Sequence, residues 1–116
     1  MTLNDVLEAE TRTGEIRVHG PEGFEGMRAA GKLAAQCLDM LTPHVVPGVV
    51  TDELDRLARE FILDHKALPA CLGYRGYTKT VCISVNHVVC HGIPSERALR
   101  EGDIANVDVT VILDGW

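Results

Sequence analysis

The 116-residue chain carries 17 acidic residues against 11 Lys+Arg, a formal net charge of −6. Its length admits one domain with a core of its own, since chains of this size bury roughly two-thirds of their unfolded surface. The acidic balance and the few aromatics, two Phe, two Tyr and one Trp, disfavour a phosphate-backbone binder or a base-stacking platform. No apolar run reaches the roughly 18 residues of a membrane span, and Asp5, Glu8 and Glu10 interrupt any signal-like start. The expectation is a cytoplasmic protein with neither a membrane nor a nucleic-acid partner.

In chain order, residues 1–20 are polar, broken by Gly14 and Gly20, and read as a tail that is extended or orders only against a body. From Pro21 to Thr42 the spacing predicts a helix whose buried stripe is Phe24, Met27, Ala30, Ala34, Cys37, Leu38 and Leu41. Pro21 suits a first helical turn, and Glu22 and Glu25 suit the positive end of the dipole. Thr51 is the expected N-cap of a second helix, with Leu54, Leu57, Ala58, Phe61 and Ile62 facing inward. The charges of that helix (Asp52, Glu53, Asp55, Arg56, Arg59 and Glu60) read as a solvated face with local ion pairs. Residues 80–85 and 104–113 are rich in Val, Ile and Thr and predict strands. Helices followed by strands indicate an α+β fold, with helices packed on one face of an antiparallel sheet. Asp114-Gly115 is a favoured two-residue hairpin turn with a single residue after it, the pattern of a chain cut short.

Cys37, Cys71, Cys82 and Cys90 form no Cys-x-x-Cys pair and read as reduced thiols, with Cys37 a small core residue. Asp108 sits mid-strand, where carboxylates are depleted. Alternation puts Val107, Val109, Val111 and Leu113 on one face and Asn106, Asp108, Thr110 and Ile112 on the other. That second face is either a solvated surface or the wall of a metal or substrate cleft. His91, followed by Gly92 and Pro94, is mounted on a rigid turn, which suits either a structural or a catalytic imidazole. Cys82, His87, Cys90 and His91 draw a crowded zinc set without the usual knuckle. The loop Gly73-Tyr74-Arg75-Gly76-Tyr77 either walls an apolar pocket or caps a core. Phosphate-loop, dinucleotide and nucleophile-elbow signatures are absent.

Three runs, Cys71 to Tyr77, Val81 to Asn86 and Val88 to Pro94, follow one another in this order, and Gly102-Asp103-Ile104 then leads into Val107 to Thr110 and Val111. Together they closely resemble bacterial type I methionine aminopeptidase. The resemblance extends back through the Met27-Arg28 helix and the Pro47-Gly48 turn and covers about residues 21–116. It implies the N-terminal half of a pita-bread fold over 21–116, with the second half absent and residues 1–20 a polar tail. The implied reaction is metal-dependent removal of the initiator methionine when the next residue is small. Asp108 is then the first metal-ligating carboxylate, and His91 contacts the scissile amide and helps stabilise the tetrahedral intermediate. Tyr74, Tyr77 and Cys82 surround the methionine side chain. Two divalent ions per complete site are implied, with cobalt, manganese, iron and zinc not distinguished.

Family members continue with a Gly-Asp pair, then a His and two Glu ligands, so Asp108 is the one implied ligand within this sequence. Thr78 stands where Pro is common and His87 where Glu is often seen. The implied substrate is the N-terminus of a nascent polypeptide, with the ribosome a candidate partner. The chain by itself is expected to be marginally folded and inactive. The alternative expectation is a non-catalytic remnant that binds a peptide, a protein partner or a second copy through its exposed half-interface.

Overall fold

A computed structural model describes residues 14–116. The predicted tail therefore meets the structure only at 14–20, an exposed stretch without helix or strand; residues 1–13 lie outside the described residues. Helix α1 spans Pro21–Leu41, with Pro21 in its first turn and Glu22 at the positive end of the dipole. A 3₁₀ turn at Thr42–His44 ends it, and α2 follows at Thr51–Asp64. Strands β1 (Leu68–Pro69), β2 (Cys82–Val85), β3 (Ala105–Asp108) and β4 (Val111–Ile112) complete the order.

The buried stripe of α1 is not the expected one. Ala30, Cys37 and Leu41 are buried as the pattern predicted, but Leu33 joins them, while Phe24, Met27 and Leu38 stay exposed. The helix carries two apolar stripes, and the packing of α2 and β4 selects the one that includes Leu33. Thr51 is the first residue of α2 and not its cap, which is Val50. Its hydroxyl instead exchanges hydrogen bonds with Ser95, accepting from the amide at 2.8 Å and donating to the carbonyl at 3.2 Å. The Thr51 and Asp52 amides, orphans of the first turn, donate to the carbonyls of Arg97 and Ser95. An antiparallel stretch of loop thus does the capping that a side chain was expected to do.

Two short antiparallel ladders share the extended chain from Ala105 to Ile112. Cys82 pairs with Asp108 and Val85 with Ala105; Leu68 pairs with Ile112 and Pro69 with Val111. Asn86 N–H donates to the Ile104 carbonyl and Ala70 N–H to the Thr110 carbonyl. Positions 104 and 110 have the same parity, and burial alternates without a break from 105 to 110. In an extended chain, same-parity carbonyls point to the same edge. Strands β1 and β2 therefore lie end to end along one edge, and residues 71–81 between them leave the sheet as an excursion.

The odd face of this stretch (Val107, Val109, Val111, Leu113) packs on a core of Leu33, Cys37, Leu54, Ala58, Ile62 and Val81. The Asp114-Gly115 turn forms as expected. Both residues have positive φ, 49° and 84°, and Leu113 and Trp116 exchange backbone hydrogen bonds of 2.8 and 2.9 Å.

Candidate active-site cleft

The even face of β3, the 71–81 excursion and the turn after β2 enclose an open cleft of about 670 Å³. Tyr74, Tyr77, Cys82, His91 and Asp108, all singled out from sequence, line this one cleft. The zinc set is not assembled: among the described residues no three His, Cys, Asp or Glu side chains are grouped to hold a metal ion. Val88 donates to the Val85 carbonyl in a turn, so His87 and His91 do not share a helix face.

Each wall has a local cause. Cys82 stands opposite Asp108 in the β2–β3 register, which brings the thiol to the carboxylate's face. His91 adopts a left-handed backbone, φ 54°. That conformation is unfavourable for a side chain with a Cβ and is retained only where surroundings enforce it. Gly92 enforces it. Its carbonyl accepts from Ile83 N–H at 2.8 Å and its own N–H donates to Ser84 Oγ at 2.9 Å. A Cβ at Gly92 would lie 2.1 Å from the Ile83 carbonyl oxygen, so only glycine allows the turn to lie this close to β2 and present His91 to the cleft.

The excursion is held from below by Asp55, which corrects the reading of that carboxylate as part of a solvated face. Asp55 is buried, and its Oδ1 accepts from the amides of Thr80 at 2.8 Å and Val81 at 2.9 Å. The other charges of α2 do pair on the surface as expected, Arg56 with Glu53 and Glu60. Lys79 reaches Asp52 at 2.7 Å, a second tie between the excursion and the helix. Within the cleft, the Tyr77 hydroxyl donates to the Val81 carbonyl at 2.8 Å. Burial pushes the Tyr77 phenol up, and hydrogen bonding to Cys82 adds to the effect. Burial likewise pushes the Cys71 thiol up, reinforced by Cys82 and the Asp108 charge. Both groups are therefore protonated at neutral pH, and the wall they form is neutral and soft. Cys71, Arg75 and Thr110 line the cleft without having been assigned roles from sequence. Thr110 was legible from its parity with Asp108, and Arg75 from its place between the two tyrosines.

A second, more apolar groove lies between α1 and β4, with Met27, Gly31, Ala34, Ile112 and Trp116 in its walls. It shares Cys71, Tyr74 and Thr110 with the cleft.

The cleft thus presents a strand carboxylate, an imidazole and a sulfur-lined wall on an α+β scaffold. The sequence profile of metallopeptidase family M24 matches residues 25–116, and the chain belongs to that family. Its relatives are methionine aminopeptidases. That of Rickettsia prowazekii is 56% identical over 101 residues, covering 87% of this chain and 39% of the relative. That of Escherichia coli K12 is 55% identical over 103 residues with the same coverages, 87% and 39%. The crystal structure of the Rickettsia enzyme superposes with a TM-score of 0.87 over 88% of this chain and 41% of that one. The Thermotoga maritima methionine aminopeptidase, 36% identical, gives 0.83 over 87% and 41%. The chain thus spans about two-fifths of the length of the relatives it matches, and its architecture is part of their pita-bread fold.

Metallopeptidase membership implies divalent metal ions. A catalytic metal centre takes about three protein ligands and an open position. The donor set here is smaller: Asp108 offers one carboxylate, and no group of three ligands exists among the described residues. These residues do not by themselves fit a complete metal centre. No helix of the described residues is long and apolar enough to cross a membrane.

Proposed function

We propose that this chain is the N-terminal half of a methionine aminopeptidase domain, contributing the substrate-recognition wall and one metal-binding carboxylate to removal of N-terminal methionine. The observation that carries the reading is the convergence of Tyr74, Tyr77, Cys82, His91 and Asp108 on one cleft. A thioether side chain is apolar and polarizable, and a sulfur with two aromatic rings complements it. His91, held rigid by Gly92, contacts the scissile amide and steadies the tetrahedral intermediate. Asp108, on a stiff strand, supplies one ligand to a divalent ion whose remaining ligands the described residues do not provide. The substrate on this reading is a nascent polypeptide whose second residue is small.

With one carboxylate in place of about three ligands, the 116-residue chain alone releases no methionine from Met-Ala-Ser at any divalent metal supplied. It nonetheless recognises the peptide. In an NMR titration, Met-Ala-Ser shifts the amides of Tyr74, Tyr77 and Cys82, and Lys-Ala-Ser does not. Equal shifts from both peptides would sink the recognition role, and metal-dependent turnover would sink the single-ligand argument.

A second reading rests on a different observation. Phe24 and Met27 on the outer stripe of α1 are 53% and 59% exposed beside the apolar groove. An apolar stripe of this kind suits a protein partner or a second copy of the chain. A discrete dimer in light scattering favours that reading, and a monomer rejects self-association.

A further inference from the structure

The excursion of residues 71–81 begins at Cys71 and is followed directly by Cys82, the first residue of β2. Ala70 is bonded to Thr110 and Cys82 is paired with Asp108, so the chain leaves and rejoins the same strand edge within two residues of β-structure. Two residues of strand span about 7 Å, and Cys71 follows directly on Ala70, so the two cysteines stand at the two ends of that short gap. A disulfide bridges Cα atoms roughly 4.4–6.8 Å apart. Both cysteines line the same cleft, beside Asp108. Both are free thiols, and the proposed peptidase chemistry gives Cys71 no task. The other two cysteines are placed differently, Cys37 buried in the core and Cys90 exposed outside the cleft walls.

We propose that Cys71 and Cys82 are a redox pair, oxidised by a peroxide to an intramolecular disulfide that staples the base of the excursion beside Asp108. One thiol gives up its proton and its sulfur attacks the peroxide O–O bond, forming a sulfenic acid and releasing water or an alcohol. The second sulfur then displaces the sulfenic hydroxyl, which leaves as water, and the S–S bond forms. Two thiols lose two protons and two electrons, and the peroxide accepts both electrons. The disulfide fixes the distance between Tyr74–Tyr77 and β2 and removes the soft thiol wall. Oxidation thereby closes the cleft to a thioether side chain, a consequence that rests on the function proposed above. The cross-link itself does not.

The test uses the full 116-residue chain carrying Cys90→Ser, because Cys90 and Cys82 share a tryptic peptide while cleavage after Arg75 and Lys79 separates Cys71 from Cys82. Hydrogen peroxide, followed by alkylation and mass spectrometry, is expected to give a chain lighter by two hydrogens. The Cys71 and Cys82 peptides are expected to be linked and Cys37 to be alkylated only after unfolding. In urea this selectivity is expected to vanish. Sulfinic acid at either cysteine without a link, or comparable linkage to Cys37 in the folded chain, would overturn the pair. A Cys71→Ser variant provides a second check, since Cys82 should then accumulate as a sulfenic acid that takes up dimedone; an unlabelled Cys82 would overturn its role. Titration with Met-Ala-Ser separates the two layers of argument. Binding by the reduced chain and not the oxidised one supports closure, and equal binding by both overturns it. Binding by neither, with the cross-link formed, overturns the proposed function and leaves the redox pair standing.

Discussion

The two faces of the Ala105–Ile112 strand are built on opposite terms. On the odd face, Val107, Val109 and Val111 meet Leu54, Ala58 and Ile62 of α2 and the inner stripe of α1 in an ordinary apolar core. On the even face, Asp108 and Thr110 look into a cleft whose other walls come from turns and an excursion. Burial of apolar area holds the first side together and tolerates volume-conserving change. The second side depends on a few irreplaceable contacts: a carboxylate under two amides, a glycine against a carbonyl, a histidine in a left-handed conformation. The core side is where stability accumulates, and the cleft side is where local stability is given up for geometry.

The sharpest way to break this contrast is at Asp55, which belongs to the core helix but serves the cleft. Asp55→Ala leaves the Thr80 and Val81 amides buried without an acceptor and should cost about 3 kcal/mol in a urea melt. Asp55→Asn, which keeps an acceptor oxygen, should recover much of the loss. If the two variants melt alike, the amide contacts are not what holds the excursion.

Gly92→Ala comes next. The added Cβ has no room against the Ile83 carbonyl, so the turn must move away from β2 at a cost of about 2 kcal/mol. The variant should also lose the peptide-induced shifts of the cleft. A crystal structure of the variant with His91 undisturbed would refute the role given to Gly92.

His91→Gly should act in the opposite sense. Glycine relieves the left-handed strain, so the variant is expected to be more stable by about 1 kcal/mol while contacting the peptide less. Opposite signs for stability and binding are the signature of a strained functional residue; loss of both would place His91 among the structural residues.

The smallest effect is electrostatic. Asp103 accepts from the Asn86 side chain, from the Arg100 amide and from Arg97, and these hold its carboxyl down at about 2. Because the folded value lies below the unfolded one of about 3.9, Asp103 contributes stability above pH 4. That contribution is lost as pH falls from about 4 towards 2. Asp103→Asn should flatten the acid limb of the melting-temperature profile in that window, melting below wild type above about pH 4 and converging with it as pH falls towards about 2. A wild-type-like acid limb in the variant would assign the limb to other carboxylates.

Most of the scaffold was legible. The helix predicted over 21–42 is observed at Pro21–Leu41, strands β2, β3 and β4 fall within 80–85 and 104–113 while β1 at Leu68–Pro69 was not foreseen, and the Asp114-Gly115 turn forms. These features depend on local period and turn chemistry, which a sequence displays directly. What failed did so wherever a residue had two acceptable partners. Helix α1 has two apolar stripes, and nothing in its own sequence says that Leu33 is covered while Phe24 and Met27 are not. Thr51 has the chemistry of an N-cap, yet Ser95, 44 residues away, takes its hydroxyl. Asp55 sits in a run of charges that looks uniformly solvated, and only the return of the chain at Thr80 buries it.

The sequence by itself determined the α+β order, the alternation that sets Asp108 and Thr110 against the core-facing valines, and the motifs that pointed to methionine aminopeptidase. Such information is carried by neighbours a few residues apart. Only the tertiary structure decided that β1 and β2 share one edge, that Cys71 and Cys82 line one cleft, that Asp55 holds the excursion, and that Gly92 sets the angle of His91. Those contacts join residues brought close by the fold, and hydrogen-bond parity and steric clearance exist only once the chain has closed on itself.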